Sequence, residues 1–244
     1  MPAMPRPPDR ILPALAWRYA CHASMLALAL FNESRPAPRL TDAVLSVTPY
    51  LDWVSAYNYH LWLALYAPVA LALWRRDRAR FVHFLYVGGL LSLLRGVTIN
   101  LTALGPIDGP DANAGLDLAQ GFAAWLNLVN PLPTLTDGAA AVHLTKDLFF
   151  SGHTATTFLL YLYCRPLGRL GGVALAAHAA VVVVVFVSRL HYTIDVVGAW
   201  AITYAVFAWT TARWVPAATF GAAPPVRDRL GTDRLGADRL TRRR

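Results

Sequence analysis

Apolar residues along the chain gather into six long blocks, approximately 11–31, 54–74, 81–104, 148–164, 171–187 and 192–214, parted by polar or charged breaks. Blocks of about 20 apolar residues have the length that an α-helix needs to cross a hydrocarbon core about 30 Å thick. A bilayer offers no water to backbone groups, so such blocks are expected as helices that bond internally. The pattern predicts an all-α, polytopic membrane protein with six transmembrane helices. The fifth block, with "AAVVVVVFV", is the least ambiguous. The fourth is among the shortest, and its start is the polar stretch "DLFFSGHT" (147–154). Block 11–31 reads as the first span, being too long and too poorly finished with small residues for a cleaved leader.

Charge supplies the orientation. "WRRDRAR" (74–80) joins blocks two and three, Arg165 and Arg169 join blocks four and five, and Arg6 and Arg10 precede the first block. Eight arginines lie from Arg213 onward. The positive-inside rule assigns these segments, and with them both termini, to the cytoplasm. Loop 105–147 carries Asp108, Asp111, Asp117, Asp137 and Asp147 against one cation, Lys146, as an outward loop would. The starts of spans four and six are then expected to face outward. Within that loop, "LAQGFAAWLNLVNPLP" reads either as a segment lying on the outer membrane surface or as a connector. The expected organisation is a cytoplasmic N-terminal segment (1–10), a six-helix transmembrane domain (11–214) and a basic, disordered cytoplasmic tail (215–244). The tail repeats Asp-Arg-Leu and suits contact with anionic lipid.

Composition agrees with a membrane protein. Of 244 residues 56% are hydrophobic and 15% charged, against about a quarter charged in a soluble domain. Mean hydropathy is +0.41. The net charge of +8 is explained by the cytoplasmic arginines, so no nucleic-acid partner is expected. Cys21 and Cys164 lie inside apolar blocks, where a structural disulfide is not expected. The alanine- and arginine-rich composition and compact length point to a bacterial inner membrane.

Chemistry concentrates at two places. In "VSRLHYTIDVVGAW" (187–200), His191 and Asp195 are four apart, one helical turn. A carboxylate that holds one ring N–H of an imidazole leaves the other nitrogen free and more basic, as in nucleophilic catalysis by histidine. Asp195 also falls a few residues inside a span, where an ionisable side chain is a functional candidate by default. The topology brings His153 to the same side. Backbone N–H groups at the start of span four, around Ser151 and Gly152, can bind phosphate oxygens there. Two histidines, an acid and an anion cradle suit phosphoryl transfer without a metal or cofactor. The competing reading makes each histidine a hydrogen-bonded helix residue, as expected for His22, His60, His83 and His178.

"SGHT" followed by "HYTIDV" resembles the phosphatidic acid phosphatase type 2 superfamily, and more closely its sphingomyelin synthase branch. Asp147 stands six residues before His153, as an aspartate does in that branch. The motif His-Tyr-Ser/Thr-x-Asp-Val is matched by His191, Tyr192, Thr193, Ile194, Asp195 and Val196. "PRLTD" (38–42) and "RGVTINLTAL" (95–104) are weaker matches to two upstream segments. The chain departs from the branch where Thr145-Lys146 replaces Cys-Gly. It departs from the lipid phosphatases in lacking a recognisable Lys-x6-Arg-Pro motif and in the spacing of Ser188-Arg189 from His191.

The resemblance implies a six-span bundle and transfer of a phospho-head group (phosphocholine, phosphoethanolamine or phosphoinositol). The donor is a glycerophospholipid, the acceptor ceramide or a similar lipid alcohol, and diacylglycerol is released. The site would face the periplasm or exterior. His191 would be the nucleophile, oriented by Asp195, and His153 the acid and base. Asp147 would tune His153 or meet a cationic head group, with capping of span four as its plainer role. Arg95 would bind phosphate, its rival role being an ion pair with Asp195 or Asp147. Arg189 would serve the phosphate or snorkel to the interface, and Tyr192, with Tyr57, Tyr59, Trp62 and Tyr161, would contact a choline or belong to the interfacial belt. The alternative activity is a lipid phosphatase or phospholipase C, with water as acceptor. A proton-relaying transport or scaffold protein is a third reading, against which stands the lack of an internal repeat.

Overall fold

The computed structural model describes residues 11–109, 111, 113, 115–130 and 144–214. The expected N-terminal segment and C-terminal tail lie outside the described residues. Among those described, the chain forms helices α1 (Ile11–Glu33), α2 (Ala43–Val47), α3 (Asp52–Arg76), α4 (Arg78–Thr102) and α5 (Leu118–Val129). They are followed by α6 (Gly152–Cys164), a 3-10 turn (Arg165–Leu167), α7 (Arg169–Val187) and α8 (Thr193–Trp214). The all-helical expectation holds for these residues. Among the described residues four helices are long and apolar enough to cross a membrane: α1, α4, α7, and α8 as far as Ala212. The other two expected spans fall short of that standard for different reasons. Helix α3 has 25 residues, but Asp52, Ser55, Asn58 and His60 make its first turns polar. Helix α6 begins only at Gly152 and has 13 residues, a rise of about 20 Å.

The long helices alternate in direction, and six of their ends meet at one end of the bundle. The N–H of Leu51, just before α3, donates to Val187 O at the end of α7 (2.9 Å). Asn32, near the end of α1, donates to Lys146 O (2.9 Å). Thr98, near the end of α4, donates to Phe149 O (3.1 Å). The starts of α6 and α8 are joined there by a backbone bond described below. Helices α1 and α4 pack along much of their length because α4 offers small residues where α1 crosses. A Cβ on Gly96 would lie 3.2 Å from the Met25 Cα and 2.8 Å from Leu28 Cδ1. Small residues that let backbones approach are what association within lipid requires, since apolar burial drives little there. Asn100 adds a bond to Leu28 O (2.9 Å). The main core, with Leu73, Phe84, Val87, Leu91, Phe150, Leu159, Tyr163 and Ala199, draws on α3, α4, α6 and α8 and underlies the site.

Helix α5 does not lie across the end of the bundle. It runs down the side of α1, antiparallel to it. Leu116 and Asp117 lie near Phe31 and Ser34, the Trp125 indole donates to Ala23 O (2.8 Å), and Tyr19 donates to Val129 O (2.9 Å). From Phe31 back to Tyr19 is about 18 Å along a helix axis. Trp125, Leu128 and Val129 pack on Met25, Leu26 and Ala29, Leu118, Phe122 and Leu126 face outward, and exposed Gln120 and Asn127 form only a narrow polar stripe between apolar sides. The capping box of Asp117 and Gln120 closes its first turn.

Candidate active site

His191 and Asp195 meet, but not on a shared helix face as the four-residue spacing suggested. Helix α8 begins at Thr193, so His191 and Tyr192 belong to the turn before it. Asp195, the third helical residue, reaches back over that turn as the acidic member of a capping box does. Its Oδ2 accepts the Tyr192 N–H (3.0 Å) and the His191 Nδ1–H (3.2 Å). A carboxylate only accepts, so the proton sits on Nδ1 and the Nε2 lone pair is left free. The pair is closed off from solvent, with His191 3% and Asp195 0% exposed. Asp195 Oδ1 is buried with no hydrogen-bond partner among the described residues.

The second motif docks directly on the first. The Ser151 N–H donates to Asp195 O (3.1 Å), and Ser151 Oγ caps α6 by accepting from Thr154 N (3.3 Å). His153 therefore enters from the first turn of α6, within electrostatic reach of His191, Arg95 and Asp147. Neither ring nitrogen of His153 has a hydrogen-bond partner among the described residues. The early N–H groups of α6 precede any intrahelical acceptor, as the expected anion cradle requires.

Arg95 takes the internal ion pair rather than an open position. Its Nη2 meets Asp147 Oδ1 (2.8 Å) and donates to Asp147 O (2.7 Å), while Nε donates to Phe150 O (2.7 Å). Its Nη1 contacts Met25 Sδ (3.3 Å). A guanidinium offers a rigid fork of donors, and here that fork staples segment 147–150 ahead of α6. Gly152 makes room for it, since a Cβ there would lie 3.3 Å from Arg95 Nε. Asp147 is thus the partner of Arg95, one of the alternatives open from sequence.

The remaining candidates hold the connecting segments at this end of the bundle together. Arg189 pairs with Asp108 Oδ2 (3.1 Å) and lies over the Tyr50 ring (5.9 Å). Tyr192, 2% exposed, donates to Gly105 O (3.2 Å) and accepts from Leu40 N (3.2 Å). Burial pushes its phenol pKa up. Lys146 is fully buried, with Nζ on Asp111 Oδ2 (2.6 Å) and Arg35 O (2.8 Å). Its N–H meets Glu33 Oε1 (2.5 Å), and Glu33 also receives Asn113 (2.6 Å) and Thr145 (2.9 Å). Of the other histidines, His178 bonds Thr157 (2.9 Å) and Trp200 (2.9 Å), and His83 bonds Tyr163 (2.5 Å). His22 and His60 make no such bond among the described residues.

Two residues named from the sequence take contacts at the site that the sequence did not indicate. Asp42 caps α2 through Val44 N and Leu45 N and also holds the first residue of α8, accepting from Thr193 N (2.6 Å) and Thr193 Oγ1 (2.9 Å). Burial raises its carboxyl pKa, but these donors outweigh that and leave it below its ordinary value. "PRLTD" was its signal, though a faint one. Trp62 sets its ring against His153, centroids 5.3 Å apart and planes at 81°. Nothing in the sequence distinguished it from an interfacial aromatic.

No curated protein matches the chain. Residues 146–212, which carry Asp147, Ser151, His153, His191 and Asp195, match the family model described as PAP2 superfamily C-terminal. That match supports an enzyme of lipid phosphatase or phosphotransferase type.

Proposed function

We propose that the chain is a six-span membrane phosphotransferase that moves a phospho-head group from a glycerophospholipid to ceramide or a similar lipid alcohol, on the outer face of a bacterial inner membrane. The Ser151–Asp195 backbone bond carries this reading, because it fixes the starts of α6 and α8, and so both histidines, at one end of the bundle. His191 Nε2 attacks phosphorus, and the bond from phosphorus to the diacylglycerol oxygen breaks. His153 protonates the departing oxygen, and Asp195 stabilises the charge on the His191 ring. His153, now neutral, removes the proton of the acceptor hydroxyl. That oxygen then takes the phosphoryl group and frees His191. The choice of a lipid alcohol over water follows the "DLFFSGH" and "HYTIDV" resemblance. Arg95 and Asp147 act here by holding the segment ahead of His153.

The test is incubation of the purified protein with labelled phosphatidylcholine or phosphatidylethanolamine, with and without ceramide or diacylglycerol. A ceramide-dependent phosphosphingolipid is expected. Head-group phosphate released regardless of acceptor would make the enzyme a hydrolase instead, and no turnover would sink both.

A further inference from the structure

The two histidines of the site are held differently. His191 has Asp195 on Nδ1, whereas the His153 ring has no hydrogen-bond partner among the described residues. An acid–base group must still be aimed, because proton transfer needs heavy atoms within about 3 Å and aligned. Trp62 lies edge-on against the His153 ring. Trp62 is itself fixed on several sides. Tyr66, one turn along α3, stacks on it at 4.9 Å with planes 6° apart, and Tyr59 lies 5.7 Å away on the preceding turn. The indole also packs against the cluster of Val181, Val185 and Val196 from α7 and α8. Behind it the rings continue into the core, Tyr66 to Phe84 at 6.4 Å and Phe84 to Tyr163 at 6.0 Å. Trp17, Trp125 and Trp200 each give their indole N–H to an acceptor. The Trp62 N–H is buried with no partner among the described residues, so this side chain is kept in place by packing, ring and aliphatic, without a hydrogen bond.

We propose that Trp62 is a positioning residue for His153, with the Tyr163–Phe84–Tyr66–Trp62 column setting the imidazole in the rotamer that reaches the leaving and entering oxygens. The inference rests on the reading of the site as a phosphoryl-transfer centre. Edge-to-face ring pairs prefer this geometry and resist rotation out of it. Trp62→Leu removes the ring that braces His153, while Trp62→Phe keeps one.

The test uses the full chain in lipid nanodiscs and two donors with the same head group, phosphatidylcholine and a p-nitrophenyl phosphocholine ester. Diacylglycerol needs a proton as it leaves. Nitrophenolate does not, so its first-turnover burst is insensitive to His153. Trp62→Leu is expected to slow first-turnover diacylglycerol release about 10- to 100-fold and the nitrophenolate burst less than about threefold. Trp62→Phe should recover most of the loss, and His153→Ala should show the same split between donors as Trp62→Leu. Equal losses on both donors would mean general damage to the site and overturn the proposal. So would unchanged release from phosphatidylcholine. Wild-type protein inactive on both donors would instead overturn the phosphoryl-transfer reading itself, and this inference with it.

Discussion

The replacement Asp195→Asn separates the charge of the carboxylate from its shape. Both hydrogen bonds to the Asp195 carboxylate land on one oxygen, Oδ2, from Tyr192 N (3.0 Å) and His191 Nδ1 (3.2 Å). An asparagine can accept both with its carbonyl oxygen, leaving its NH2 where Oδ1 stood. The reverse orientation would set the NH2 against the Tyr192 N–H, two donors facing each other. The Tyr192 backbone therefore keeps the carbonyl toward His191 and preserves the Nδ1–H tautomer. In the serine-protease triad the same exchange costs about 10⁴ in kcat through the wrong tautomer, and that route is closed here. What remains is the difference between a charged and a neutral acceptor, about 1–2 kcal/mol, together with lost stabilisation of the imidazolium. At 1.36 kcal/mol per tenfold, that predicts a fall in kcat of about 10- to 100-fold. KM should change little. The NH2 at the Oδ1 position, which has no partner, should also lower stability by about 1–3 kcal/mol. The assay is diacylglycerol release from labelled phospholipid in nanodiscs at saturating substrate, with circular dichroism to verify folding. A loss near 10⁴ would refute the anchoring by Tyr192, and a loss under about threefold would refute the role of the pair.

Three further outcomes follow from contacts around the site. Gly105→Ala would put a Cβ 2.5 Å from Ala37 O and 2.9 Å from Pro38 C and O. These are backbone atoms that cannot rotate away, so overpacking of about 1–3 kcal/mol is expected, read as a Tm lower by several degrees. An unchanged Tm would show that the 36–42 segment is free to move. Arg95→Gln leaves Asp147 without its cation, and breaking such a largely buried pair should cost about 3 kcal/mol. Adding Asp147→Asn should restore part of it, and strict additivity in that double-mutant cycle would argue against the pair. The Asp42 carboxyl, held below its ordinary pKa by the Thr193, Leu45 and Val44 donors against the effect of burial, stabilises the fold above the unfolded value of about 3.9. That stabilisation disappears as pH falls through the folded value. The Tm gap between wild type and Asp42→Asn should thus be full near neutral pH and close below about pH 4. A gap independent of pH would remove Asp42 from the account.

Hydropathy alone determined that the protein is helical and where its apolar helices run, because a bilayer permits few other solutions. The spacing of "DLFFSGH" and "HYTIDV" singled out His153, His191 and Asp195, since ionisable groups inside apolar runs are costly and stand out. The details that arrange them were not legible in the same way. The four-residue spacing of His191 and Asp195 suggested a helix face, yet the helix starts after His191, and the pair closes across a cap. A cap depends on where the chain turns, which periodicity does not record. Whether Arg95 took a phosphate or Asp147 depended on how closely segment 147–150 approaches α4. The descent of α5 along α1 depended on finding acceptors for Trp125 and Tyr19 in a neighbour about 100 residues away in the chain. The contacts of Asp42 and Trp62 stayed hidden for the same reason. Their partners, Thr193 and His153, are remote in sequence, and only the docking of α2 on the start of α8 and of α3 on α6 brings them together.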